Sequence, residues 1–343
     1  MAGSIIMELI FQTARLWVRP LRLDDFPDFF AMQGNAKVMA YTGLGRAQTE
    51  AEARKDLEKC LEAYSNPQNN FWVWALERKE DGQFVGTTAL VPDQEYHEIG
   101  YRLAEAYWGQ GLGQEICNGL LDFVFQTERH EFLLAYVAQD NVGSVRILER
   151  SSVVFQKSYF SEEYQTMDNL YHWDWTSHLA WLAQRFLDQM ESNWQAQGYV
   201  LPPFSIDHVC YRVDSQDRYL ALKAYLEKEH TLLIESEIAG RPIATFQLKE
   251  AWLWKDQKIE VLELPAPKPD TLYAEGFEHF EVVVADSLEQ FLQRYSNLNI
   301  GQPRRQDPLN PTLKWTLPRG VIKFHEQALA DVIELEKAQN KRK

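Results

Sequence analysis

The stretch that most constrains this chain is Tyr107-Trp108-Gly109-Gln110-Gly111-Leu112-Gly113-Gln114, in which glycine recurs at alternate positions. Before it, Glu98-Ile99-Gly100-Tyr101-Arg102-Leu103 reads as a strand. After it, Ile116, Leu120, Leu121, Val124 and Phe125 recur at helical spacing. The glycines therefore stand where a strand turns into a helix. Such a junction leaves backbone N–H groups unpaired and aimed at one point, with the helix dipole behind them. Glycines let a phosphate reach those donors without a Cβ in the way. The loop taken alone is equally a plain structural turn. It has no Lys-Ser/Thr after the glycines, as a P-loop needs, and not the spacing of a dinucleotide fingerprint.

Its neighbours extend the pattern. The strand, the loop, Asn141-Val142-Gly143-Ser144 and a short helix over Val145–Glu149 together resemble the GNAT family of acetyl-CoA-dependent N-acetyltransferases, and within it the RimJ/RimL-like branch. Ala14-Arg15-Leu16-Trp17-Val18-Arg19-Pro20-Leu21, Asp24-Asp25 and Asn35-Ala36-Lys37-Val38-Met39 fit that branch too, so the resemblance covers the first half. It implies an α+β fold with a mixed, mostly antiparallel sheet, acetyl-CoA as cofactor, and a protein N-terminus or small amine as acceptor. The coenzyme would be held by Gln110, Gly111, Leu112, Gly113 and Gln114 at the pyrophosphate. A backbone donor near Leu103 would polarise the thioester carbonyl, and Asn141 would meet the pantetheine arm or merely cap a helix. Glu98 is the expected base, with His97 sent to the opposite face by strand alternation. The acid is expected at Ser144, because the place where many GNAT enzymes carry a tyrosine is Leu148 here. Two further departures are Trp108 at the loop's start and Ser151-Ser152-Val153-Val154-Phe155 in place of a Gly-Phe. Met39–Thr42 and Val91–His97 are expected to line the acceptor side, where Tyr41, Asp93 and Glu95 can meet a cation or be ordinary loop surface.

At 343 residues the chain is long enough for two domains, and its net charge of −15 suits it poorly to nucleic-acid backbones or anionic membranes. Cys60, Cys117 and Cys210 are too far apart and odd in number for a disulfide framework or a zinc motif, so buried thiols are expected. Met1–Phe11 lacks a basic n-region and a cleavage motif, and no apolar run approaches the roughly 18 residues of a membrane span. A cytoplasmic protein is the expectation.

Along the chain, strands are expected at Leu16–Leu23, Phe71–Glu77, Phe84–Val91, His130–Gln139, Phe155–Tyr159 and Asn169–Trp175, with Asp24-Asp25 and Thr49 as helix caps. From Ser177 to Gln197, Leu179, Leu182, Phe186, Met190 and Trp194 form an apolar stripe. Ser177 reads as the cap of this linker helix, and the domains divide as 1–176 and 177–343.

After Leu201-Pro202-Pro203, two rounds of strand, helix and further strands suggest an internal duplication, followed by a charged helical tail. Ile206-Asp207-His208-Val209, Gly240-Arg241-Pro242-Ile243, Val261-Leu262-Glu263-Leu264-Pro265 and Gly276-Phe277-Glu278-His279-Phe280-Glu281 resemble the YecM family. That family looks like a branch of the vicinal-oxygen-chelate fold of glyoxalase I, in which duplicated βαβββ units form half-barrels around a divalent metal. The resemblance implies His208, Glu263 and His279 as ligands with open positions for substrate oxygens. The fourth position, on Val321-Ile322-Lys323-Phe324-His325-Glu326, has no clean carboxylate, and His325 is the nearest ligand type. An empty barrel, with the histidines bonded to Glu263, is the alternative. The leading expectation is an N-acetyltransferase whose second half binds a metal or small ligand. A metal-dependent lyase or isomerase regulated by coenzyme, and a non-catalytic ligand sensor, stand as competitors.

Overall fold

The computed structural model describes residues 9–162, 164–199, 204–269, 271–296, 298, 300 and 310–340. The chain divides between His178 and Leu179 into two compact units. In the first, the elements run β1 (Phe11–Gln12), β2 (Leu16–Pro20), α1 (Phe26–Gln33), α2 (Ala36–Met39), α3 (Glu50–Tyr64), β3 (Trp72–Arg78), β4 (Phe84–Asp93), β5 (Tyr96–Leu103), α4 (Leu112–Thr127), β6 (Phe132–Ala138), α5 (Val142–Glu149), β7 (Val154–Ser161) and β8 (Thr166–Asp174). The strands form one sheet in the order β1-β2-β3-β4-β5-β6-β8-β7. Every neighbouring pair is antiparallel except β5 and β6, which are parallel and matched at a single position, Glu98 opposite Leu134.

The helices form where their sequences direct. Thr49 and Glu52 close a reciprocal capping box on α3, whose Ala53, Leu57 and Cys60 are buried with Phe29, Met32 and Ala75. Asp25 does not cap α1 with its side chain. Both its oxygens accept from the Arg19 guanidinium at 2.8 Å in the buried interior, where Glu77 is the second counter-ion. α4 turns Ile116, Leu120, Leu121 and Val124 into the core. All the cysteines, Cys60, Cys117 and Cys210, are buried and free.

α6 (Trp175–Ala196) starts two residues earlier than its apolar stripe suggests. Its cap is Asp174, whose Oδ1 accepts from the Ser177 amide at 2.7 Å while the Ser177 hydroxyl accepts from the Asp174 amide at 3.1 Å. Ser177 is thus the third residue of a capping box rather than the cap itself. α5 likewise starts three residues before the expected Val145.

The second unit holds the rest of α6, then β9 (Ser205–Arg212), α7 (Gln216–Glu229), β10 (Thr231–Ile238), β11 (Arg241–Trp254), β12 (Gln257–Pro265), β13 (Gly276–Val283), α8 (Leu288–Arg294), β14 (Leu313–Leu317), β15 (Gly320–His325) and α9 (Leu329–Asn340). Its sheet runs β10-β11-β12-β9-β13-β15-β14. Each round places its last strand parallel to its first, β12 on β9 and β15 on β13, and the two first strands meet antiparallel at the centre. Round one has three strands after its helix, and round two has two among the described residues. Met190 and Phe186 of the α6 stripe pack on Gly320, where a Cβ would lie 2.5 Å from the Met190 sulfur. The Leu201-Pro202-Pro203 boundary lies outside the described residues.

Gly86 shows how tightly β4 and β5 meet beside the β5 terminus. A Cβ there would stand 2.1 Å from the Arg102 carbonyl oxygen and 2.9 Å from the Leu103 Cα. Neither atom can move without breaking the ladder. Gly86→Ala is expected to destabilise the protein by at least about 1–3 kcal/mol, read as a lowered urea midpoint. An unchanged midpoint would show that the strands do not approach this closely.

Candidate active site and a buried ionic cluster

The first site is built around the parting of β5 and β6. Ala104 N–H donates to the Val85 carbonyl at 3.0 Å, so in the antiparallel alternation the next pair, Gly86 and Leu103, is not mutually hydrogen-bonded. The Leu103 amide therefore faces away from β4, toward the side β6 occupies only as far as Glu98. A cleft of about 1730 Å³ opens there, walled by Glu98, Leu103, Asn141 and Ser144 among others.

The glycine loop closes one end. Gly109 and Gly111 take left-handed φ of 71° and 77°, and Gly111 is the N-cap of α4. Gly113 is needed for a different reason, since a Cβ there would lie 2.7 Å from the Ile147 side chain. Gly111, Leu112, Gly113 and Gln114 line the cleft, and Gln110 is not on its wall. The Gln110 carbonyl accepts from Arg15 Nη1 at 2.9 Å. The Gln114 side chain ties α4 to α5 by donating to the Ile147 carbonyl at 3.1 Å and to Ser151 Oγ just past α5 at 2.9 Å, leaving its backbone amide in the first turn of α4. Trp108 Nε1 donates to the Leu103 carbonyl at 2.8 Å and fastens the loop to the strand end.

Asn141 caps α5, its Oδ1 accepting from the Ser144 amide at 3.2 Å. Ser144 Oγ accepts from the Tyr101 hydroxyl at 3.1 Å. Burial, reinforced by Asp93, pushes the Glu98 carboxyl up to about 7. Asp93 accepts from the Tyr136 hydroxyl at 2.7 Å. His97 lies against the Asn70 carbonyl at 3.1 Å and meets the His130 ring at a tilt of 37°. Tyr41 and Asp93 line the cleft, whereas Glu95 stands exposed outside its wall.

The second site lies on one face of the other sheet. In register, His208 stands opposite Glu281 and His279 opposite Cys210 across the central pair. Glu263 lies beside Cys210, and Lys323 beside Glu281. The structure gathers His208, Glu263 and His279 around Glu281. His279 Nε2 is 3.1 Å from Glu281 and 3.5 Å from Glu263, and His208 Nε2 is 3.4 Å from Glu281. His325 contacts the other Glu281 oxygen. Single donor atoms of His208, His279 and Glu281 lie within 4.8 Å of one another, as metal ligands would. The fourth position needs correction. His279 is level with Val321 as His208 is with Val261, so the counterpart of Glu263 is Lys323 rather than His325. Burial alone would lower the His208 pKa, but Glu281 and Asp207 carry it up to about 10. Burial likewise opposes ionisation of Glu263, yet His279 and His208 hold it down at about 2.

Comparison with known proteins agrees with this division. The family profile described as acetyltransferase (GNAT) domain matches residues 15–153, and the one described as YecM protein matches residues 176–336. The chain joins a GNAT domain to a YecM domain. The uncharacterized N-acetyltransferase YoaA of Bacillus subtilis is 26% identical over 158 residues, covering 45% of this chain and 87% of that protein. Protein YecM of Escherichia coli is 26% identical over 169 residues, 45% of this chain and 90% of its own. YkkB of Bacillus subtilis is 31% identical over 90 residues, and the chain spans 52% of its length. Among solved structures, RimL, the ribosomal L7/L12 α-N-protein acetyltransferase bound to coenzyme A, aligns with a TM-score of 0.44 at 15% identity, over 49% of this chain and 98% of its own. Spermidine N-acetyltransferase from Vibrio cholerae aligns with a TM-score of 0.42 at 17% identity, over 48% and 99%.

Three residues escaped the sequence reading. Arg15 reaches the GNAT loop from β2's approach, with Nε on Glu115 at 2.6 Å, and no local pattern announces it. In the YecM domain Glu281 and Lys323 complete the ionic cluster. The spacing of Glu281, two residues beyond His279 on one strand, was the available signal for the former.

The pKa of Glu98 fixes a sign. A carboxyl ordinarily near 4.5 and raised to about 7 in the fold favours its neutral form. It is neutral in both states at low pH; its cost to stability grows as the pH rises from about 4.5 and is complete above about 7. Glu98→Gln is expected to raise stability at pH 8 by on the order of 2 kcal/mol and to change nothing near pH 4. Equal melting shifts at both pH values would show that the carboxyl is not raised.

Proposed function

We propose that the GNAT domain transfers the acetyl group of acetyl-CoA to an amine, a protein N-terminus or a small molecule, within a cytoplasmic protein divided functionally as 1–176 and 177–343. The observation carrying this reading is Glu98, a carboxyl at about 7 at the one position where β5 pairs with β6. In this reading the amides of the Gly111–Gln114 turn hold the pyrophosphate, with Gln110 shaping the loop. The coenzyme arm lies along Asn141, and the Leu103 amide binds the thioester oxygen as it gains charge. Glu98 takes the amine proton, directly or through water. The nitrogen lone pair attacks the carbonyl carbon, the C–S bond breaks, and the Ser144 hydroxyl donates a hydrogen bond to the leaving thiolate, which takes a proton from solvent as Glu98 returns its own to solvent.

For the YecM domain the reading is a vicinal-oxygen-chelate-type unit whose buried cluster is a cation site. The two rounds, paired through their first strands, support the fold, and the convergence of His208, His279 and Glu281 with Glu263 supports the site. His208 Nε2 is buried and makes no aligned hydrogen bond, so a cation that displaced its proton would meet an uncommitted ligand atom. A divalent ion there would supply Lewis acidity.

Calorimetric titration of acetyl-CoA into the full chain tests the first reading. Micromolar binding is expected, weakened at least about tenfold by Gly111→Trp, which fills the phosphate approach. On an amine panel, coenzyme-dependent thiol release is expected to fall below pH 7 and to drop about 100-fold or more in Glu98→Gln. No coenzyme binding by the unaltered protein sinks the proposal.

A further inference from the structure

The cluster in the YecM domain already contains a cation. Lys323 Nζ lies 2.9 Å from His279 Nε2 and donates to Glu281 Oε1, the oxygen that both His208 and His279 face. Those are the donors that a divalent ion would need. The register explains how the lysine arrives there. In round one the strand pair brings Cys210 beside Glu263, and in round two it brings Glu281 beside Lys323. The two rounds thus place a carboxylate and an ammonium at equivalent points of their last strands. We propose that the Lys323 ammonium is the resident cation of this cluster and that it excludes divalent metal from His208, His279 and Glu281.

Several observations bear on this independently. Glu281 is buried, with 8% of its side chain exposed, and an ionised carboxylate so placed needs a counter-ion. Lys323 reaches it along the same strand pair, so the partner is covalently present and no ion need be recruited. Metal entry would require the imidazole nitrogens of His208 and His279 as free lone pairs. It would also set a dication within contact distance of an ammonium, a repulsion that a poorly screened interior does not soften. Substituting the lysine removes the ammonium and its contact with His279 Nε2, and leaves a site of two imidazoles and two carboxylates.

The inference rests on reading the cluster as a cation site, and the experiment separates the two. Cobalt(II) and zinc(II) are titrated into metal-free full-length protein, followed by calorimetry and, for cobalt, by visible ligand-field absorption. The unaltered protein and Lys323→Arg, which keeps the charge, are expected to show no absorption from a bound site. Lys323→Met and Lys323→Glu are expected to bind at least about tenfold more tightly, and adding His208→Ala to either is expected to abolish the gain. If Lys323→Met unfolds on its own, the same titration is followed by circular dichroism, and refolding on cobalt counts as binding. Metal binding by the unaltered protein as tight as by Lys323→Met overturns the role of the lysine while leaving the cation site standing. Failure of both neutral and acidic variants to gain any binding while folded overturns the cation site itself.

Discussion

The GNAT domain depends on one parallel strand pair that is allowed to fail. β5 and β6 share a sheet otherwise antiparallel, and they are paired only where Glu98 meets Leu134. A parallel pair requires a crossover, and α4 supplies it. The helix therefore begins at the carboxyl end of β5, close to where the strands part. The Leu103 amide, the N-terminus of α4 and the first turn of α5 are brought to one opening by that requirement alone. An unpaired amide at such a place costs roughly 1–3 kcal/mol if buried without a partner. The open cleft lets water or a ligand carbonyl complete it.

Two kinds of buried acid in this domain show how environment separates structure from chemistry. Asp25 and Glu77 share the Arg19 guanidinium and tie β2, β3 and α1 together. Glu98 is desolvated by burial and has Asp93 near it, so its charge is disfavoured rather than stabilised. A carboxylate neutralised by arginine is a poor base because giving it a proton breaks the pair. A carboxyl balanced near neutral pH accepts a proton at little cost.

What the sequence made legible follows from the range of each interaction. Strand–glycine–helix order, the Thr49 capping box and the cap at Asn141 are local, and each shows as a spacing of a few residues. Glu98 stood out because it shares a strand with Leu103. Arg15 could not, because its contact with Glu115 spans a hundred residues and depends on β2 running past the α4 terminus. The start of α6 was misplaced because Asp174 ends a strand by its hydrogen bonds and begins a helix by its side chain. In the YecM domain His208, Glu263 and His279 were placed by strand position. Glu281 showed only as a residue two positions beyond His279, and Lys323 becomes visible only when β13 and β15 are set in register, which a single chain's alternation does not specify.

The register also shows why Glu281 and Lys323 have to be considered together. Round one places a thiol, Cys210, where round two places Glu281, and burial pushes that thiol up to about 11, so it carries no charge. A neutral group there leaves Glu263 to face the imidazoles alone. A carboxylate at the matching point of round two adds a second buried negative charge within reach of the same rings. Beside the His208 ring, a metal dication or a fixed ammonium can offset it, and the two differ in kind. A metal dissociates, so the order of the core would follow metal concentration. A lysine on the adjacent strand cannot leave, so His208, His279 and Glu281 keep their arrangement whatever ions the solution holds.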